Sequence, residues 1–457
     1  MEFLVEHKSR ALKAATLATF LGCLCQPVPT AYAQNPVPVE SSTPVIITLD
    51  DAIRRAQAND PGYAGAAADR QSASLDRSIA RSALLPSVIY HNQYLYTQPN
   101  GEKVVAGNQS APRFIANNTV HEYASQAQVN ETLGLVPLGQ YLKAGAASAR
   151  AAALLEIARR GLVVTVVDAY FSLEAADQKL QVMQRADAEA QHFLDLTQKL
   201  ENGREVAHAD AVKATLQSQQ RQRDLSDARL AAEKARLDLG VLLFADPRTS
   251  YQLADEGSQP APAPTHDEVE AAAKRNNPDL RSALEALRMA DADVKIARAA
   301  YFPDLALNYS YGIDSPQFAI NGTDGIRNLG YSASVTLDIP VWDWLATHDR
   351  VKQSEVRRKV AALELTMAQK RLVAQLEEFY NEAKSSGDQL LSLVESVKTA
   401  AESLRLINLR YSAGEATVLE VVDAQNALTT AETSRSDGLV RYRLALANLQ
   451  TLTGVLP

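Results

Sequence analysis

Four segments of the chain alternate between apolar and polar residues. The alternation is clean over residues 304–312 and 328–339 and noisier over 87–97 and 120–131, and Asn92 interrupts the apolar positions of segment 87–97. Since successive side chains of a β-strand point to opposite faces, a period of two predicts strands with one apolar and one polar face. We therefore expect four strands, arranged as two pairs.

Long stretches without proline follow each pair. Residues 138–245 and 341–456 contain none, and they are rich in Ala, Leu, Gln, Glu, Arg and Lys, which favour helices. Apolar residues recur there at every seventh position, interrupted once in each series, by Arg223 and by Arg435, which is typical of helices packed in a coiled coil. These residues are Leu216, Leu230, Leu237 and Phe244, and then Val421, Leu428, Tyr442 and Leu449. A helix from Leu138 to Asn202 would be roughly 100 Å long, which suits a tube or a spacer and not a compact globule.

The same order of elements occurs twice along the chain. Each copy is predicted to hold a helix of moderate length (about 49–83 and 267–300), two strands, a very long helix and a returning helix. We place the two repeats at residues 49–255 and 267–457, separated by the Pro-rich linker 256–266. Four prolines mark the junctions between strands and helices: Pro86, Pro137, Pro303 and Pro340.

The first 33 residues have the layout of a secretory signal. Basic residues between positions 8 and 13 precede an uncharged run over 14–25, and a small-x-small tripeptide ends at Ala33. We expect cleavage after Ala33, which leaves a Pro-rich tail over 34–48. Two alternatives stay open: the uncharged run is an N-terminal anchor, or Cys23 is lipidated.

Composition argues against several kinds of chemistry. Cys23 and Cys25 are the only cysteines and fall in the predicted signal, so the mature chain would have no disulfide, no thiolate metal site and no thiol nucleophile. A formal net charge of −8 argues against nucleic-acid binding. The sequence has no histidine pair at metal-ligand spacing, no Gly-rich phosphate loop and no nucleophile elbow. We therefore predict no catalytic, cofactor or metal site, and we do not expect an enzyme.

The strands indicate a membrane location. Segments of about ten residues with one apolar face are the signature of a transmembrane barrel, although the strands of a soluble sandwich alternate too. Trp342 and Trp344, the only tryptophans, lie beside Pro340, and such rings settle at the lipid–water boundary. Four strands cannot close a barrel, and open edges are prohibitive in lipid. Copies of the chain would therefore have to pool their strands.

The duplication, the four junction prolines and the stretch 411–424 together resemble the TolC-like outer-membrane efflux proteins. The resemblance covers residues 49–456. It implies a mainly α fold with transmembrane β-strands: a homotrimer whose chains each give four strands to a 12-stranded barrel in outer-membrane lipid. A periplasmic coiled-coil α-barrel would continue from it and dock onto a periplasmic adaptor (membrane fusion) protein and an inner-membrane pump.

The resemblance implies a function and a gate. The expected function is passive exit of small molecules or secreted substrates from an efflux or type I secretion complex; the alternative is a periplasmic coiled-coil spacer or adaptor without a barrel. In the family, a tyrosine and an arginine on one inner turn hold an aspartate on the partner turn. By position, the tyrosine is Tyr411 and the aspartate Asp210, whereas the arginine position holds Ala416. Glu420 and Asp423 match acidic residues that form rings above the tip.

Overall fold

A computed structural model describes residues 45–97, 121–254, 264–323 and 325–454. The predicted signal, most of the Pro-rich tail and most of the linker lie outside these ranges. So does the polar segment 98–120 between the first two strands. Predictions about those parts stay predictions.

The described elements repeat in the same order. The first series is β1 (Val45–Ile47), α1 (Leu49–Asn59), α2 (Pro61–Ser82), β2 (Ser87–Tyr96), β3 (His121–Leu133), α3 (Leu135–Asn202) and α4 (His208–Leu243). The second is β4 (Tyr251–Leu253), α5 (His266–Asn276), α6 (Pro278–Ala299), β5 (Asp304–Ser315), β6 (Leu329–Asp338), α7 (Ala346–Ser412) and α8 (Val418–Thr453). The long helices α3 and α7 have 68 and 67 residues, and the returning helices α4 and α8 have 36 each.

The predicted first helix of each repeat is two helices, so the prediction of one continuous helix was wrong. In the first repeat the break falls at Asp60, whose side chain accepts a hydrogen bond from the backbone N–H of Tyr63 (2.5 Å) while Pro61 begins α2. Proline restricts the residue before it to extended backbone and is well suited to the first position of a helix. Asn277 and Pro278 do the same before α6.

The asparagine before each break joins the first helix of its repeat to the end of the returning helix. The Asn59 side-chain amide donates to the backbone oxygen of Leu243 (2.6 Å), and Asn276 donates to that of Thr453 (3.0 Å). Each asparagine therefore satisfies a free carbonyl at the end of the returning helix of its own repeat. The duplicated Asn-Asp-Pro and Asn-Asn-Pro sequences thus each stabilise two helix ends, the start of α2 or α6 and the end of α4 or α8.

The two long helices start differently. Helix α3 begins at Leu135, so Pro137 lies in its first turn, where its missing N–H costs no helical hydrogen bond. Helix α7 begins only at Ala346, after an irregular segment in which Trp344 and Leu345 have left-handed φ angles of 55° and 66°. Asp343 accepts a hydrogen bond from the backbone N–H of Thr347 (2.7 Å) and so caps this delayed start.

Strands β2, β3, β5 and β6 form one antiparallel sheet in that order. Its register brings apolar side chains of neighbouring strands together on one face, as in the pairs Tyr94–Tyr123, Val129–Tyr309 and Leu307–Val335. The other face pairs polar residues, such as Gln128–Ser310 and Asn308–Ser334. The two-faced sheet that the alternation predicts is therefore present.

Asn92, the interruption of the apolar face, is satisfied by its neighbours. The Ser125 hydroxyl donates to Asn92 Oδ1 (2.8 Å), and the Tyr90 hydroxyl lies 2.8 Å from the same Ser125 oxygen. Since the Ser125 proton is used on Asn92, Tyr90 is the donor in the second bond. A polar residue can stand on this face because three strand side chains meet each other's hydrogen-bonding needs.

The helices form rows below the sheet. Next to the sheet, α2 packs on α3, α3 on α6 and α6 on α7. Farther along, α4 packs on α3, α3 on α8 and α8 on α7. Between these levels lies a core around Tyr170, whose hydroxyl lies 3.1 Å and 3.2 Å from the carbonyl oxygens of Ile47 and Ala254 and so ties the β1–β4 sheet to α3. Across the described ranges, every helix falls short of the apolar length that a membrane span needs.

Candidate functional site at the helical hairpin tips

Two turns lie at the ends of the long helices α3 and α7 that point away from the sheet. The first joins α3 to α4 over residues 203–207 and the second joins α7 to α8 over residues 413–417. Gly414 has a φ of 75°, a conformation that favours glycine, and it ends α7. Side chains from all four helices meet in one apolar cluster beside the turns: Phe193, Ala214, Tyr411, Val418 and Val421.

Glu420 caps the start of α8 at the second turn. The Thr417 hydroxyl accepts a hydrogen bond from the Glu420 backbone N–H, and the Glu420 carboxylate accepts one from the Thr417 N–H (both 3.3 Å). This reciprocal capping box starts α8. The carboxylate also lies 3.6 Å from the Arg410 guanidinium, so part of its charge is matched within the chain. The pattern Thr-x-x-Glu was visible in the sequence, and the capping role was missed there.

Asp423 differs from Glu420 in its surroundings. It lies one helical turn further along α8 and is exposed. Residues three apart share a helix face, so both carboxylates emerge on the same side of α8. Whether they form rings depends on other copies of the chain, so the ring assignment stays a prediction.

Tyr411 is buried, with 6% of its surface exposed. Its ring lies 5.1 Å, centre to centre, from that of Phe193, and its hydroxyl lies 3.2 Å from the Thr197 hydroxyl. Neither α3 residue was predicted, because the heptad pattern says nothing about which helices meet at the tip. Ala416 packs against the same cluster, where an arginine would place a charge.

Asp210 lies in the first turn of α4, where a negative charge is favourable. Its carboxylate is 3.6 Å from the ammonium group of Lys213 on the same helix. Within one chain, therefore, Tyr411 is paired with Thr197 and Asp210 with Lys213. The predicted Tyr411–Asp210 bond is not among the contacts of the described residues, and it stays a prediction for the assembled protein.

A belt of charged and amide side chains crosses α3, α4 and α8 above the tip. Arg185 on α3 pairs with Glu432 on α8 (3.2 Å), and Arg221 on α4 pairs with Asp224 (3.3 Å) and reaches Asn426 on α8. Although the Glu189 side chain keeps contact with solvent, partial desolvation raises the pKa of its carboxyl, and the negative charge of Glu432 raises it further. Sequence reasoning missed this belt, since each residue alone looks like part of a wet helix face.

Comparisons with known proteins agree with this fold. Residues 271–455 match the family model described as outer membrane efflux protein. The chain is 23% identical to outer membrane protein TolC of Escherichia coli over 88% of its own length and 81% of the relative's. It is 22% identical to the alkaline protease secretion protein AprF of Pseudomonas aeruginosa, over 89% and 84%.

Solved structures share the architecture. A membrane protein from Pseudomonas aeruginosa superposes with a TM-score of 0.77 at 20% identity, covering 94% of this chain and 97% of the other. The outer-membrane channel OprN gives 0.74 at 19% identity, with 89% of each chain covered. At such identities the structures establish the fold alone. Residues 271–455 therefore carry an outer membrane efflux protein domain, within a fold that known outer-membrane channels share. The chain is a homologue of TolC and AprF, which confirms the resemblance inferred from the sequence.

Proposed function

We propose that this chain is the outer-membrane subunit of an efflux or type I secretion duct, exported by its N-terminal signal. Three copies would enclose a water-filled passage through which small molecules or secreted substrates leave without covalent change. One observation carries the proposal: the sheet and both rows of helices are open at their ends. Each begins with an element of the first repeat and ends with β6 or α7 of the second.

The sheet needs partners on both edges. Among the residues that the structure describes, β2 and β6 are its outermost strands, and the outer edge of each has no partner strand. The side chains of the apolar face are exposed, with 69% exposure at Val335. Pairing β6 of one copy with β2 of the next would satisfy both edges and turn the apolar face outward. With three copies, the closed sheet would have 12 strands, as the family resemblance implies.

The helical rows end in exposed apolar stripes. The predicted heptad positions Leu216, Leu230 and Leu237 on α4 are exposed, whereas Val421, Tyr442 and Leu449 on α8 are buried inside the chain. At the other end of the row, α7 exposes apolar residues along its whole length, among them Val356, Leu363, Leu391 and Leu409. Burying such surface against a neighbour is favourable, so copies of the chain would pack α4 of one against α7 of the next.

The inner surface suits a passive route. The polar face of the sheet carries amides and hydroxyls, such as Gln126, whose amide donates to Asp314 Oδ2 (3.1 Å), and the Ser310–Ser332 pair (2.8 Å). These groups interact with water and favour no single substrate. We propose a periplasmic adaptor protein and an inner-membrane pump as partners at the helical tips. A spacer without a barrel would leave the exposed apolar face of the sheet unexplained.

Planar-bilayer conductance of the purified full-length protein tests the proposal. A duct predicts a trimer band on unheated denaturing gels of outer-membrane fractions and stepwise ion conductance after reconstitution. A soluble periplasmic monomer without conductance would support the spacer instead.

A further inference from the structure

The contact between Tyr411 and Thr197 joins the two hairpins of one chain. Thr197 is fully buried near the end of α3, and Tyr411 lies at the end of α7. The Thr197 hydroxyl donates to the backbone oxygen of Phe193, four residues earlier (2.9 Å). Since that uses its only proton, the Tyr411 hydroxyl is the donor to Thr197 Oγ1.

The surroundings of this bond are apolar. The Phe193 ring, Ala416 and Val418 pack around it, and Asp210, the charged partner predicted for Tyr411, pairs with Lys213 instead. A buried hydroxyl without a partner is costly, so the bond resists any movement that separates α3 from α7. Ala416 also fits this environment better than a charged residue would.

We propose that Thr197 is the positioning residue that holds Tyr411, and with it the second hairpin turn, against the first hairpin in the closed tip. The proposal rests on the proposed function, since it assumes that the tip narrows the duct. We call the hydrogen bond between Tyr411 and Thr197 the latch. It is neutral and buried, whereas the predicted bond from Tyr411 to Asp210 would involve a charged carboxylate. Opening would swing the second hairpin away from the first and break the bond between Tyr411 Oη and Thr197 Oγ1.

Single-channel recording of the reconstituted full-length protein tests the latch. Thr197→Val keeps the shape of the side chain and removes the hydroxyl, and Tyr411→Phe removes the donor. Each should raise the ratio of open to closed time by about threefold to tenfold, the range expected for one hydrogen bond. The double variant should open no further than either single one, because both remove the same bond. Thr197→Ser retains the hydroxyl and should behave as the parent does.

Thr429 offers a matched control. It is also buried, on the returning helix α8, and it also donates to a carbonyl four residues earlier, that of Gln425 (2.9 Å). Thr429→Val should leave the open-to-closed ratio unchanged. Because neither latch partner is charged, the effect of Thr197→Val should also be similar at about 0.1 M and about 1 M salt.

Four results would overturn the latch. A conducting parent with an unchanged Thr197→Val variant would refute the latch alone and leave the duct in place. So would full additivity of Thr197→Val with Tyr411→Phe, or opening by Asp210→Asn while Thr197→Val is silent. An absence of conductance in the parent and in every variant would refute the duct and the latch together.

Discussion

At the scale of single residues, the two faces of the sheet give the sharpest contrast. Val335 lies on the apolar face opposite Leu307, and its neighbour Ser334 lies on the polar face opposite Asn308. If the apolar face meets lipid near the bilayer midplane, Val335→Arg should destabilise the assembled protein by about 2–4 kcal/mol. Ser334→Arg is the control, with a small effect, since it faces water. Yields of heat-modifiable trimer from outer-membrane fractions measure both, and equal yields would contradict the register.

Glu420 and Asp423, the two predicted ring acids, should differ in their effect on ion selectivity. Glu420 is shared between its cap with Thr417 and the Arg410 guanidinium, whereas Asp423 is exposed without such a role in the described contacts. Acidic residues lining a pore favour cations. Asp423→Asn should therefore lower cation preference more than Glu420→Gln, as measured by the reversal potential in a salt gradient. Unchanged selectivity in the double variant would exclude both from the lumen.

At the scale of elements, much of the fold was predictable because it follows from local periodicity. The period-two segments became strands, and the proline-free stretches became helices. The break at Asp60 was missed because the Asx-Pro cap is a signal of three residues inside a longer helical pattern. Thr197 and the α3–α4–α8 belt could not be found from sequence, because they depend on which faces of distant helices meet.

The belt predicts a pH dependence with a defined sign. The pKa of Glu189 is raised by partial desolvation and by Glu432, so folding takes up protons there. The stability linked to this carboxyl is fully present below the ordinary glutamate pKa, near pH ~4.3. It is lost as the pH rises through the raised pKa of the folded protein. Glu189→Gln should therefore raise the unfolding temperature more at about pH 8 than at about pH 5.

Glu402 provides a control of opposite sign. Its hydrogen bonds to Arg405 on the exposed face of α7 lower the pKa of its carboxyl. Any stability that it adds is present above the ordinary glutamate range and fades as pH falls. If Glu402→Gln and Glu189→Gln changed the pH profile in the same direction, the assignment of a desolvated carboxyl at Glu189 would be wrong.

At the scale of the whole molecule, contacts between helices show which residues of neighbouring helices lie at the same level along the helix axes. Leu225 on α4 packs with Met183 on α3, Arg185 on α3 pairs with Glu432 on α8, and Gly438 on α8 lies against Leu393 on α7. Leu230 on α4 and Leu391 on α7 are therefore at one level, at opposite ends of the row. They are 68% and 76% exposed.

Crosslinking of Leu230 to Leu391 tests how copies of the chain join. If α4 of one copy packs against α7 of the next, Leu230→Cys with Leu391→Cys should form a disulfide between chains on mild oxidation. The mature sequence would have no other cysteine, since Cys23 and Cys25 lie in the predicted signal. Because each copy uses both ends, a closed ring would give covalently linked trimers and no longer ladder. Leu230→Cys with Val356→Cys is the control: Val356 lies 35 positions earlier on α7, roughly 50 Å away along the helix axis. Efficient crosslinking of the control pair, or a ladder of higher oligomers from the matched pair, would refute this packing of α4 on α7.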